Sequence, residues 1–222
     1  MNNAARHLTA VGKKQDTVKL HIGCGGNRLP GYINCDYIPG AVGAEMFFDA
    51  TKPWPFADNS VSEVYSSHFL EHIDNPKAFF KEAWRCMHDN ALMVCRLPHG
   101  GHQTAWTDLT HVRPWFPPTF CFLQPNYIQD TRNPQHTWTH FFGVHYVECR
   151  VNPKLHKFMR WPIESFFLNH IDFFADAVQE MVARLYCIKS SYTMHYFLSQ
   201  SRGNTVGVTY VKDLHENRKT PA

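Results

Sequence analysis

Hydrophobic and polar positions alternate from Val18 to Ile22, with Val18, Leu20 and Ile22 on one side and Lys19 and His21 on the other, the period of a half-buried strand. The run stops at Gly23, Gly25 and Gly26, so a strand leads directly into a glycine loop. Tyr32 to Asp36 reads as a second strand ending in an acid, Glu45 to Asp49 as a third short strand ending in another, and Val61 to Ser67 as a fourth. Ala78, Phe79, Ala83, Trp84 and Met87 recur at helical spacing behind Pro76 and predict a helix to about His88, and Ala91 to Leu97 reads as a buried fifth strand. Only Arg28-Leu29-Pro30-Gly31 separates the glycine loop from the second strand, so the helix that normally joins such strands is short or missing.

The second half of the chain has a different texture. Proline, histidine and tryptophan crowd residues 124 to 162, with a strand expected at Val144 to Val151, and the region reads as an insertion or lid. An amphipathic helix is expected from about Ile171 to Tyr186, and Met194 to Gln200 with Thr205 to Lys212 as a hairpin closing the sheet. Met1 to Thr17 and Asp213 to Ala222 are polar tails. The 222 residues suit one domain, with a core from about 17–98 and 190–213 and substrate or lid elements from about 99–189.

Composition narrows the function classes. A formal charge of +3 with 18% charged residues gives no large field of one sign, so nucleic-acid binding has no support from bulk electrostatics. Seven cysteines without a repeated Cys-x-x-Cys pair argue against a disulfide framework or a zinc ribbon and fit a reducing, cytoplasmic setting. The N-terminus lacks the apolar core of a signal peptide, and no apolar run reaches a membrane span of about 18 residues, so no membrane partner is expected. The sequence does not indicate an oligomeric state.

The loop chemistry points to a nucleotide-like cofactor. No Lys-Ser or Lys-Thr follows Gly23 at P-loop spacing, which argues against ATP or GTP, and Arg28 stands where a dinucleotide loop has its third glycine. An acid such as Asp36, at the carboxyl end of the second strand, can accept hydrogen bonds from both hydroxyls of a ribose. His99, His102, Asp108, His111 and Arg113 follow the fifth strand and so fall near the ligand end of a parallel sheet. His111 and Asp108 there could take a proton from an acceptor, bind a metal, or simply hold the loop in shape; the primary assignment is catalytic, with no metal. His68 and His72 stand four apart, but the acid directly precedes the second histidine rather than following the first, so the zincin order fails; His68 reads as a cleft residue and His72 as packing or capping.

Four segments in order, Ile-Gly-Cys-Gly-Gly-Asn, Leu-Pro-Gly-Tyr-Ile-Asn-Cys-Asp, Phe-Asp-Ala-Thr-Lys-Pro-Trp-Pro-Phe-Ala-Asp-Asn-Ser and Tyr-Ser-Ser-His-Phe-Leu-Glu-His, resemble small class I S-adenosylmethionine-dependent methyltransferases of the methyltransferase-11 type over roughly Lys19 to Pro98. The resemblance implies a Rossmann-like α/β three-layer sandwich, its mostly parallel seven-stranded sheet in the order 3-2-1-4-5-7-6 with the last strand antiparallel. It implies S-adenosyl-L-methionine as cofactor, with Gly23, Cys24 and Gly25 at the methionine part, Asn27 also among the cofactor-binding residues, Asp36 on the ribose and Asp49 and Ala50 at the adenine. Ser66, Ser67 and His68 would contact the methionine end. The place of their loop after the fifth strand, rather than the resemblance, adds Asp108 and His111 to His68 as the candidate catalytic set. The implied activity is methyl transfer to an oxygen or nitrogen of a small acceptor. A non-catalytic nucleotide-binding or docking module on the same fold, or an NAD-dependent oxidoreductase, are the alternatives.

Overall fold

The computed structural model describes residues 18–125, 127, 138–158, 168, 171, 175–200 and 207–211. Its centre is a sheet built from β1 (Val18–Ile22), β2 (Ile33–Asp36), β3 (Met46–Phe47), β4 (Val61–Ser67), β5 (Met87–Pro98), β6 (Phe142–Val151), β7 (Val178–Cys187) and β8 (Val208–Val211). The spatial order is β3-β2-β1-β4-β5-β7-β6-β8. β3, β2, β1, β4 and β5 pair in parallel, β7 runs antiparallel to both β5 and β6, and β8 adds in parallel to β6. The expected order is present, extended from seven strands to eight by β8.

The first two strands are joined without a helix, as Arg28-Leu29-Pro30 requires. In its place the fully buried Asn34 ties the connection together: its Oδ1 accepts from Leu29 N at 2.8 Å, its Nδ2 donates to the Leu29, Tyr32 and Glu45 oxygens, and Arg28 pairs with Glu45 from outside. A buried amide with every hydrogen-bonding position used can replace the packing that a helix would have supplied.

Helix α1 (Pro76–Cys86) starts where the Asn75 side chain accepts from Ala78 N at 3.1 Å and Pro76 occupies the first turn. It buries Phe79, Phe80, Ala83 and Cys86. Phe79 is the centre of an aromatic cluster, with ring centroids 5.6 Å from Trp54, 5.6 Å from Phe69 and 5.3 Å from Phe80. A four-residue helix, α2 (Thr104–Thr107), follows β5.

Two expectations for the second half fail. The helix expected from Ile171 to Tyr186 is instead strand β7 over Val178–Cys187; residues 172–174 lie outside the described set. Glu180 and Arg184 carry a helical i, i+4 charge spacing, but each finds its partner across the sheet, Glu180 with Arg96 and Arg150 and Arg184 with Glu148. Cross-strand pairing and burial between β5 and β6 overrode the local pattern. The hairpin expected from Met194–Gln200 and Thr205–Lys212 also fails: Ser191–Gln200 is helix α3, and Val208–Val211 is β8, which pairs with β6 rather than with its sequence neighbour. β6 and β7 therefore bring part of the stretch expected to supply substrate elements into the sheet itself.

The start of α3 shows what decided it. Ser190 Oγ accepts from Thr193 N at 3.1 Å, and Asp89 accepts from Lys189 N, Ser190 N, Ser190 Oγ and Thr193 Oγ1. Burial raises the Asp89 carboxyl, but these donors outweigh it and leave its pKa below the usual value. Asp89→Ala is expected to destabilise the protein by about 2 kcal/mol in denaturant melts, since an N-terminal cap is worth about 1 kcal/mol and the other donors are orphaned with it.

All seven cysteines are buried, and none forms a disulfide. Trp115 and Trp138 are buried, whereas Trp106 is exposed and donates to Gly100 O at 2.7 Å; Trp161 lies outside the described residues. Among the described residues no helix is long and apolar enough to cross a membrane.

Candidate active site

At the carboxyl ends of β1, β2 and β4 opens a cleft of about 820 Å³ lined by Gly23, Gly25, Asp36, Asp49, Ala50 and His68, six of the ten residues expected there from sequence. Cys24 and Ser66 are instead buried beneath it, Asn27 is exposed beyond it, and Ser67 is half-buried in β4; none of these four lines the cleft. The pattern of the strand explains Ser66 and Ser67, because alternation turns successive side chains to opposite faces of the sheet.

The glycine loop folds onto β2 rather than leaving all its donors for a ligand. Gly23 N and Cys24 N both donate to Cys35 O at 2.9 and 3.0 Å, and Gly25 N donates to Asp36 Oδ2 at 2.7 Å. Gly23 takes φ +69°, and a Cβ on it would stand 2.5 Å from the Phe69 ring, so the absence of a side chain is what lets the loop pass under Phe69. Asp36 accepts a second bond from Ile38 N at 3.0 Å. A carboxylate has about four acceptor positions, so two backbone donors leave capacity for two more on the cleft side. Asp49 closes its own turn, accepting from Thr51 N at 2.8 Å and Thr51 Oγ1 at 2.6 Å, and the Thr51 hydroxyl holds its carboxyl below the usual range. Tyr37 and Ile38, exposed and apolar directly after the acid, line the cleft and were missed; the signal was an apolar pair at a strand end with no core to enter.

A second cleft lies alongside, lined by Pro98, Thr104, Asp108, Leu109, His111 and Glu180 among others, and it shares His68 and His72 with the first. The structure thus brings His68, Asp108 and His111 to one wall. His111 Nε2 is 3.8 Å from Asp108 Oδ2, and Asp108 Oδ1 holds Thr110 through its amide and hydroxyl. His68, with φ +51°, stands between two acids: Nδ1 is 3.3 Å from Glu71 Oε1 and Nε2 is 3.3 Å from Glu180 Oε1. Glu180 and Glu71 together raise its pKa to about 9, so its ring carries a proton at neutral pH.

Glu180 itself sits among His68, Arg96 and Arg150; burial works against ionisation there, but those cations win and hold its carboxyl at about 2. Because the folded pKa is depressed from 4.5, the stabilisation is fully present above about pH 4.5 and is lost as the pH falls toward 2. Glu180→Gln is expected to lower stability by about 2 kcal/mol at neutral pH, and the gap to the parent protein should close on acidification; urea melts at neutral pH and at about pH 3 check both parts.

Residues 20–95 match a family model described as a methyltransferase domain. No curated protein matches the sequence. Among solved structures, a candidate methyltransferase from Bacillus halodurans is 13% identical with a TM-score of 0.51, over 79% of this chain and 94% of that one. A SAM-dependent methyltransferase from Archaeoglobus fulgidus is 16% identical with a TM-score of 0.52, over 78% of this chain and 87% of that one. The sheet order, the cleft at the carboxyl ends of its strands and these likenesses define a Rossmann-like fold, the one those two structures share. The match over residues 20–95 spans about a third of the chain, and with the Archaeoglobus fulgidus structure it makes the chain similar to S-adenosylmethionine-dependent methyltransferases.

Proposed function

We propose that this chain transfers the methyl group of S-adenosylmethionine to an oxygen or nitrogen of a small acceptor seated in the second cleft. The observation that carries this reading is the junction of the two clefts at His68 and His72, which brings an acceptor within reach of a ligand held by Gly23, Gly25 and Asp36. The bound cofactor supplies an electrophilic methyl on a positively charged sulfur, so what remains for the protein is alignment and exclusion of water.

Asp36 takes the ribose through its two remaining acceptor positions, while Asp49, Ala50, Tyr37 and Ile38 frame the flat and apolar part of the ligand. His68 is already protonated between Glu71 and Glu180 and so orients the acceptor as a donor rather than accepting its proton. His111 is the group placed to receive a proton, with Nδ1 facing the Ala105 carbonyl at 3.3 Å and Nε2 turned toward the Asp108 carboxylate. Arg96 and Arg150 are tied to Glu180 and set the charge of that wall rather than meeting an acceptor directly.

The test is release of S-adenosylhomocysteine from the purified chain supplied with S-adenosylmethionine and a panel of small phenols, amines and carboxylic acids. Acceptor-dependent release with at least one class supports the reading. Tight cofactor binding with no release across the panel would move the chain to a non-catalytic role.

A further inference from the structure

Methyl transfer uses His111 and, through His68, Glu71, but it does not call for the way Glu71, His72 and His111 meet in the wall between the two clefts. Glu71, in the short turn Leu70–His72, is only 2% exposed, and neither of its carboxylate oxygens has a hydrogen-bond partner. Its ion-pair contact is His68 Nδ1 at 3.3 Å. A carboxylate buried this way is costly unless something positive completes its surroundings. One ligand atom each from Glu71, His72 and His111 lie within 4.8 Å of one another, and the two imidazole rings are 4.7 Å apart at 73°.

The hydrogen bonds around the rings fix which nitrogen is bare. The Thr110 hydroxyl donates to Asp108 Oδ1 at 2.7 Å, so toward His72 Nδ1, 2.9 Å away, it acts as acceptor. His111 Nδ1 faces the Ala105 carbonyl at 3.3 Å, which can only accept. Both rings therefore carry their proton on Nδ1 and leave Nε2 with a lone pair, the arrangement that outer partners impose on metal-binding histidines. Val112 N donates to Glu71 O at 2.8 Å, which pins the turn bearing Glu71 and His72 to the loop bearing His111.

We propose that Glu71, His72 and His111 bind a divalent transition-metal ion, zinc by ligand type, with Asp108 at the fourth position. Two imidazoles and a carboxylate suit zinc, cobalt or nickel, whereas magnesium and calcium prefer all-oxygen surroundings. Asp108 Oδ2 is 3.8 Å from His111 Nε2 with its other oxygen held by Thr110, so it can ligate or hold a bound water. Tetrahedral ligands at about 2.0–2.1 Å from zinc stand about 3.4 Å apart, so the cluster contracts by roughly an ångström on binding. An ion here borders the second cleft and would take an oxygen or nitrogen of the acceptor as a further ligand, polarising it in place of the occupied His111; that extension rests on the methyl-transfer reading, and the ion site does not.

The experiment strips the full chain with a chelator and titrates it with cobalt(II) and then zinc. The expected result is one ion per chain with the visible absorption of tetrahedral cobalt and no thiolate charge-transfer band. Glu71→Gln, His72→Gln and His111→Gln should each weaken binding at least about tenfold. No stoichiometric uptake, a thiolate band, or affinity unchanged in both histidine variants would overturn the site. Calorimetry with S-adenosylmethionine on the same samples separates the two ideas: cofactor binding without ion uptake sinks only the metal site, and ion uptake without cofactor binding upholds it while sinking the methyl-transfer reading. If a histidine variant does not fold, Thr110→Val decides, because it removes the hydroxyl that joins His72 Nδ1 to Asp108 Oδ1 and so loosens two of the proposed ligands at once; a loss of about tenfold supports the site and unchanged affinity overturns it.

Discussion

Asp36→Ala is expected to weaken S-adenosylmethionine binding by at least about a hundredfold. The carboxylate is buried at the end of β2 and gives one acceptor position to Gly25 N and another to Ile38 N, so it is already aimed and immobile before a ligand arrives. Two charge-assisted bonds to ribose hydroxyls are worth about 1.5–3 kcal/mol each, and about 1.4 kcal/mol is tenfold in affinity, which sets the lower bound. The same substitution also releases the Gly25 amide, so part of the loss will come from the loop. Asp36→Asn separates the contributions, because an amide keeps an acceptor oxygen but loses the charge, and it should bind at an affinity between the parent and Asp36→Ala. Titration calorimetry with the cofactor and with S-adenosylhomocysteine measures both, and a loss of less than about threefold in Asp36→Ala would remove Asp36 from the binding site.

The second large effect is conformational, and three glycines of the loop grade it. At Gly23 an added Cβ meets Phe69 Cδ2 at 2.5 Å and Phe69 Cβ at 2.8 Å, and φ is +69°. The left-handed backbone costs about 1–2 kcal/mol for an L-residue, and displacing Phe69 from its contact with Phe79 adds a similar amount, so Gly23→Ala should cost about 2–4 kcal/mol and narrow the cleft. Gly25 has φ +52° but open space, and should cost only the backbone part, about 1 kcal/mol. Gly26 has neither a positive φ nor a neighbour within 4 Å of an added Cβ, and its alanine variant should lie within about 0.5 kcal/mol of the parent. Adding Phe69→Ala to Gly23→Ala should restore the cleft but not the backbone term. Equal costs at all three positions in denaturant melts would show that Phe69 does not limit the loop.

How far the candidate site could be read in advance follows from how local its determinants are. Gly23, Gly25, Asp36, Asp49 and Ala50 sit at strand ends, and a strand end is visible where alternation stops and a glycine or an acid appears. Cys24, Asn27, Ser66 and Ser67 do not line the cleft, and motif membership does not say which face a side chain takes. The raised pKa of His68 was invisible, since one of its two acids, Glu180, lies far along the chain on a strand expected to be a helix.

The sequence by itself determined the first hundred residues: the strand and glycine loop, the missing first helix, α1 behind Pro76, and the strand order implied by the family resemblance. These rest on periodicity, turn chemistry and caps, which act within a few residues. Only the tertiary structure decided the second half. Glu180 and Arg184 are spaced for a helix face, yet β5 and β6 offer partners on both sides, and a strand buried between neighbours satisfies those charges and its own backbone at once. Met194 to Gln200 favour a strand locally, yet Asp89, about a hundred residues earlier, gathers the amides and hydroxyls at Lys189, Ser190 and Thr193 and starts a helix there. The meeting of Glu71, His72 and His111 is of the same kind: short range supplies each residue, and only folding brings a buried, unbonded carboxylate to two oriented imidazoles.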